Sequence, residues 1–137
     1  MDEVAEAVYE ADPSSARAAR GFVSATSRDW GFDPGELPLV TSELVSNALV
    51  HAGTAVRLRL HRLPGGVRLE VSDRHPGHRP PGAAADPRLG VRVRGEAATA
   101  NGNGLVLVGA LARDWGVRAE DGEWAKTVWA ELGLDRG

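Results

Sequence analysis

Glu43, Asn47 and His51 recur at every fourth residue of the stretch Leu-Val-Thr-Ser-Glu-Leu-Val-Ser-Asn-Ala-Leu-Val-His-Ala, residues 39–52. In a helix each four-residue step drifts by only about 40°, so the acid, the amide and the imidazole share one edge. Leu44, Val45, Ala48, Leu49 and Ala52 form an apolar stripe beside that edge. Polar groups in a row along a buried stripe make a poor core and a good pocket wall. Glu43 is spaced to take a proton from an attacking hydroxyl or water. Asn47 offers a neutral oxygen ligand to Mg²⁺, which prefers oxygen and keeps several waters. His51 fits either the pocket or the end of the helix, where the dipole favours an imidazolium.

A second carboxylate ends an alternating run. Val67, Leu69 and Val71 share the parity of Asp73, which puts all four on one face of a strand. If that face is covered, a carboxylate there costs several kcal/mol unless something donates to it. An exocyclic amine such as that of adenine is one such donor. Further on, Gly102-Asn103-Gly104 opens a short apolar helix that continues through Leu105. Backbone N–H groups from Gly102 to Leu105 could cradle phosphates, aided by the dipole of the helix they start. His75 and His78 have a metal-like spacing, but they lie in a proline-rich segment with no cysteine, and no metal site is expected there.

The elements that must position these residues follow from periodicity and punctuation. Residues 4–11 supply a short edge strand. Asp12-Pro13-Ser14 predicts a helix start, with Asp12 as N-cap and Pro13 in the first turn. The helix runs to about Trp30, and Gly31 ends it. Asp33 and Glu36 are spaced as a capping box for the helix that carries Glu43. Pro38 restricts its regular start to Gly35 or Glu36, because proline is tolerated only in the first turn. After Gly53 the pattern changes to period two. Val56, Leu58 and Leu60 face one way, Arg57, Arg59 and His61 the other, and Pro64-Gly65-Gly66 turns the chain into the strand of Asp73. The two strands are expected to pair as an antiparallel hairpin with helices over one face. Residues 76–101 carry Pro, Gly and Arg at close intervals, a long loop of the kind that is usually functional or disordered. Strands at residues 115–119 and 124–132 close the chain, with their tryptophans expected to pack.

Composition narrows the classes. The 137 residues are 42% hydrophobic and 26% charged, as in ordinary globular domains, and a single domain over 1–137 is the expectation. The net charge of -3 supplies no basic field for direct nucleic-acid binding. The acidic N-terminus lacks the parts of a signal peptide, the longest apolar run is far short of a membrane span, and there is no cysteine. A soluble cytoplasmic protein is expected, with no membrane partner.

With these residues in view, the chain resembles the GHKL ATPases, a family that includes gyrase B, histidine-kinase catalytic domains and anti-sigma-factor serine kinases. Ser-Glu-Leu-Val-Ser-Asn-Ala-Leu-Val-His-Ala resembles the family's N box, Val-Ser-Asp-Arg-His-Pro-Gly around Asp73 and Gly77 its G1 box, and Asn-Gly-Asn-Gly-Leu at residues 101–105 its G2 box. Lys-Thr-Val-Trp-Ala-Glu-Leu resembles the last strand of small anti-sigma-type members. The resemblance spans about residues 14–132 and implies a Bergerat fold. This is an α+β two-layer sandwich with a mixed, mostly antiparallel sheet, helices on one face, and ATP between the helices and a lid at about residues 77–102. It also implies roles. Glu43 becomes the general base, Asn47 the Mg²⁺ ligand, Asp73 the adenine reader and Gly77 the residue of close approach to the base. Gly102 and Gly104, with Asn103 and Leu105, form the phosphate loop, and His51 lies at a position that is often basic or imidazole. One departure concerns the last strand, where many relatives place a threonine. Strict register puts Lys126 there, and Thr127 has the opposite parity.

The chain has no room for the dimerisation helices of a sensor kinase or the transducer domains of gyrase-like ATPases. The resemblance therefore implies a stand-alone module of anti-sigma-factor type. Its reaction would be transfer of the ATP γ-phosphate to a Ser or Thr of an anti-sigma-factor antagonist, and it would also sequester a sigma factor. Relatives of this type often form homodimers. The competing reading is a non-catalytic ATP-binding regulatory module whose lid order tunes partner binding.

Overall fold

The computed structural model describes residues 3–75, 103–120 and 122–137, with residues 103–106 by backbone alone. In chain order the elements are β1 (Val4–Tyr9), α1 (Ser15–Asp29), α2 (Leu37–His51), β2 (Val56–Leu63), β3 (Gly66–Asp73), α3 (Asn103–Leu111), β4 (Asp114–Ala119) and β5 (Lys126–Gly133). The strands form one sheet in the order β1-β2-β3-β5-β4. Each of its pairings is antiparallel. β2 and β3 form the expected hairpin, with Val56 opposite Asp73 and Leu63 opposite Gly66. β1 is the expected edge strand, paired to β2.

Two helix starts differ from the sequence reading. α1 begins at Ser15, not beside Asp12, and its N-cap is Ser14. The Asp12 carboxylate instead accepts from the Ser14 N–H and hydroxyl, both at 2.8 Å, and so closes a turn ahead of the helix. α2 begins at Leu37, after both expected starts, and Glu36 caps it without a side-chain hydrogen bond. The capping box is not formed. Asp33 accepts from the Gly35 N–H at 3.2 Å, which ties the pre-helix turn, and Pro38 holds the helix start within a residue of itself. The other end of α2 follows expectation. Gly53 takes φ +69°, a left-handed conformation that stops the helix and turns the chain into β2.

The helices cover one face of the sheet. Ala19 and Val23 of α1 and Leu37, Val40, Leu44, Val45 and Ala48 of α2 pack with Val56, Leu58 and Leu60 of β2 and Val67, Leu69 and Val71 of β3. Trp115 and Val117 of β4 and Val128, Ala130 and Leu132 of β5 complete this core. α2 is the central helix, in contact with α1, α3, β2 and β3. The opposite face carries charge. Arg57, Arg59 and His61 lie there as their parity requires, beside Arg68, Glu70, Trp129 and Glu131.

Candidate functional site

α2 carries the predicted row as one helix. Glu43, Asn47 and His51 are all half-buried, and the inward residues Thr41, Leu44, Val45 and Ala48 are buried beside them. His51 forms the last turn. The side-chain nitrogen of Asn47 is buried and has no hydrogen-bond partner among the described residues. A carboxamide in that state is short of one interaction, and a half-turn about its last torsion exchanges nitrogen for oxygen. The Glu43 side chain likewise has no hydrogen bond or ion pair among the described residues, although it is not cut off from solvent.

Asp73 ends β3 on the covered face and is 1% exposed. Its backbone carbonyl accepts from the Ala125 N–H at 2.8 Å. One carboxylate oxygen accepts from the His75 N–H at 2.9 Å. The other lies 2.9 Å from the ammonium of Lys126, itself 5% exposed. This ion pair follows from register: Asp73 stands opposite Lys126, and Lys126 shares the parity of Val128, Ala130 and Leu132. Lys126 is the site residue that sequence reading undervalued. A lysine in phase with three core residues demands a buried acceptor, and Asp73 is the acceptor that the same register supplies. Nearby, Thr54 accepts from the Arg74 N–H at 3.0 Å. The Arg57 and Arg74 guanidiniums lie 5.3 and 4.6 Å from the Trp124 ring centre. Trp124 is thus held by arginines ahead of β5, outside the strand the sequence reading placed it in.

Gly77, Gly102 and the lid at about 77–102 lie outside the described residues. α3 begins at Asn103, so Asn103, Gly104 and Leu105 belong to its first turn, where backbone N–H groups lack intrahelical acceptors. α3 packs against α2, which brings the helix of the predicted phosphate loop to the helix of the polar row. A separate cavity of about 420 Å³ lies at the other end of the sheet, with Trp30, Phe32, Arg62 and Leu134 in its wall. It has none of the predicted residues and no buried polar side chain short of a partner.

Among the described residues no group of three or more His, Cys, Asp or Glu could hold a metal ion. Mg²⁺ carried with a nucleotide takes one or two protein oxygens and fills its shell with phosphate and water. The Asn47 carboxamide, whose orphaned atom is its side-chain nitrogen, fits that demand with its oxygen turned to the same position.

Comparison with known proteins agrees with this architecture. Residues 9–130 match the family described as histidine kinase-like ATPase domain. The chain belongs to that family. Among solved structures, that of the RsbU and RsbW domains of Rv1364c from Mycobacterium tuberculosis is similar in fold, with a TM-score of 0.60 at 18% identity. The match covers 98% of this chain and 33% of that one, so this chain spans about a third of the protein it resembles. No curated protein sequence matches significantly. No helix among the described residues is long and apolar enough to cross a membrane.

Proposed function

We propose that the chain is an ATP-binding regulatory protein of anti-sigma-factor kinase type, one domain over 1–137. It would transfer the γ-phosphate of ATP to a Ser or Thr of an antagonist domain and sequester a sigma factor in the cytoplasm, with a homodimer as a further expectation. The observation that carries this reading is the buried Asp73 carboxylate on the helix-covered face, in a chain of the histidine kinase-like ATPase family. A carboxylate held there by one ammonium and one backbone N–H keeps lone pairs for a base amine. In this reading Asp73 and Gly77 meet the adenine, Asn47 and His51 line the phosphate side, and Gly102, Asn103, Gly104 and Leu105 offer backbone N–H groups to the phosphates. Glu43 takes the proton of the attacking hydroxyl. Bound Mg²⁺ would offset charge on the transferring phosphates.

A second reading, the non-catalytic ATP-dependent regulator, is favoured by one detail. Glu43 has no hydrogen-bond partner among the described residues to orient it as a base. Incubation with Mg²⁺, γ-phosphate-labelled ATP and a candidate antagonist domain separates the two. Label transfer that is lost in Glu43→Ala, with ATP binding intact, supports the kinase. ATP binding without transfer to any candidate supports the regulator. If Asp73→Asn leaves ATP affinity unchanged, the pocket assignment fails.

A further inference from the structure

The end of the sheet far from Asp73 holds cations that the ion-pair network of the strands leaves unused. Gly31, at φ +90°, ends α1 and turns the chain so that Phe32 bridges Arg136. The Asp33 N–H donates to the Asp135 carbonyl at 2.8 Å, and the Gly137 N–H to the Gly31 carbonyl at 3.0 Å. Two hollows, of about 420 and 520 Å³, meet at Gly31, Phe32 and Arg136, which line both. They form one groove. The first hollow has an apolar side of Trp30, Leu63 and Leu134. Its Arg62 is tied to Glu3 and lies 5.9 Å from the Phe32 ring centre. The second hollow has Arg28 and Arg136 in its wall, and its Asp33 accepts from the Gly35 N–H at 3.2 Å. Arg28 and Arg136 are exposed and form no ion pair or side-chain hydrogen bond among the described residues.

We infer that this groove docks an acidic segment of a partner protein, with an apolar residue of the segment in the first hollow and a carboxylate in the second. The inference stands apart from the nucleotide reading of the Asp73 site. Each hollow has the volume of a ligand cleft, roughly 300–1,000 Å³. Charge complementarity chooses the occupant. In a chain of net charge -3, the groove keeps two guanidiniums free, and a guanidinium fork matches a carboxylate. Trp30 and Arg136 are also the residue types that carry binding energy where an apolar anchor meets a charged rim. Backbone hydrogen bonds hold the strand pairing beneath Arg136, so little ordering remains to be done on binding. A nucleic-acid backbone would need cations repeated at phosphate spacing, and here Glu3 and Asp33 interrupt them.

Fluorescence polarisation on the full chain tests the inference. The probes are a fluorescein-labelled peptide of alternating Glu and Leu, its counterparts with Lys for Glu and with Ser for Leu, and a labelled oligothymidylate. The Glu-Leu peptide should bind with a Kd of about 100 μM or tighter, and the other three at least about tenfold more weakly. Arg136→Glu and Arg28→Glu change exposed side chains outside the core. Each should weaken the Glu-Leu peptide at least about fivefold, and the double variant should come to prefer the Lys-Leu peptide. ADP affinity should stay the same in all of them, which separates this groove from the nucleotide site. Equal binding of the Glu-Leu and Lys-Leu peptides overturns the inference, as does an affinity that both single variants leave unchanged. So does tighter binding of the oligothymidylate, or no peptide binding up to about 1 mM. A dimer in sedimentation that Arg136→Glu dissociates would assign the groove to a second copy of the chain and overturn it too.

Discussion

β3 carries two buried carboxylates, one on each face of the sheet, and their surroundings differ in kind. Glu70, 7% exposed, lies on the charged face. It meets His61 at 3.0 Å, Arg68 at 3.2 Å and Arg118 at 3.5 Å. Arg68 also reaches Glu131 at 2.9 Å and lies 4.3 Å from the Trp129 ring centre. Close by, Glu120 accepts from Arg118 and Thr127, each at 2.7 Å, and Thr127 bonds Ser72 at 2.6 Å. Burial pushes the Glu70 carboxyl up, but the His61 hydrogen bond and charge, with Arg118 and Arg68, outweigh it and hold the carboxyl below its ordinary range. Among the described residues Asp73 has one ammonium and one backbone N–H. The contrast teaches that burial alone does not mark a site. A carboxylate saturated by its neighbours ties strands together, whereas one with acceptor capacity left over can serve a ligand.

The largest expected effect is at Asp73. Asp73→Ala strands the Lys126 ammonium in the core and should cost about 3 kcal/mol or more in urea unfolding, together with loss of nucleotide binding. A cost below about 1 kcal/mol would show the pair to be better solvated than its burial implies. Glu70→Ala removes several hydrogen bonds but leaves Arg68 its Glu131 partner, so about 1–2 kcal/mol should be lost. Nucleotide affinity should not change, and a weakened affinity would break the distinction between the faces.

Acid should act on the charged face in a defined direction. The folded-state pKa of Glu70 lies below the ordinary glutamate value, and that of Glu120 is likewise lowered by Thr127 and Arg118 against burial. Their stabilisation is therefore complete above that value and fades as pH falls through the lowered folded values. Glu70→Gln should flatten the acid limb of a stability–pH curve, and an unchanged limb would remove Glu70 from the account. The smallest effect is at the rim. The Arg59–Glu6 pair at 2.9 Å has side chains 37% and 47% exposed, so Arg59→Ala should cost at most about 0.5 kcal/mol, and less in high salt.

Much of this was legible in the chain. The hairpin of β2 and β3, the edge position of β1 and the helical row of Glu43, Asn47 and His51 all follow from period and parity. Helix starts were less legible. Asp12 and Asp33 bond within their own turns instead of capping α1 and α2, because short polar side chains serve either purpose and the sequence does not distinguish them. Lys126 showed the same limit at the site: parity put it on the covered face, but its partner depended on the register between distant strands.

Local alternation and helical spacing thus determined which residues face the core, because hydrophobic periodicity is written into neighbouring residues. Only the tertiary structure decided which buried charges meet. Pairing of β3 with β5 joins Asp73 to Lys126 on one face and, through Arg68, Glu70 to Glu131 on the other. The strength of such contacts depends on distance and burial, and neither is set until the sheet has closed against α2.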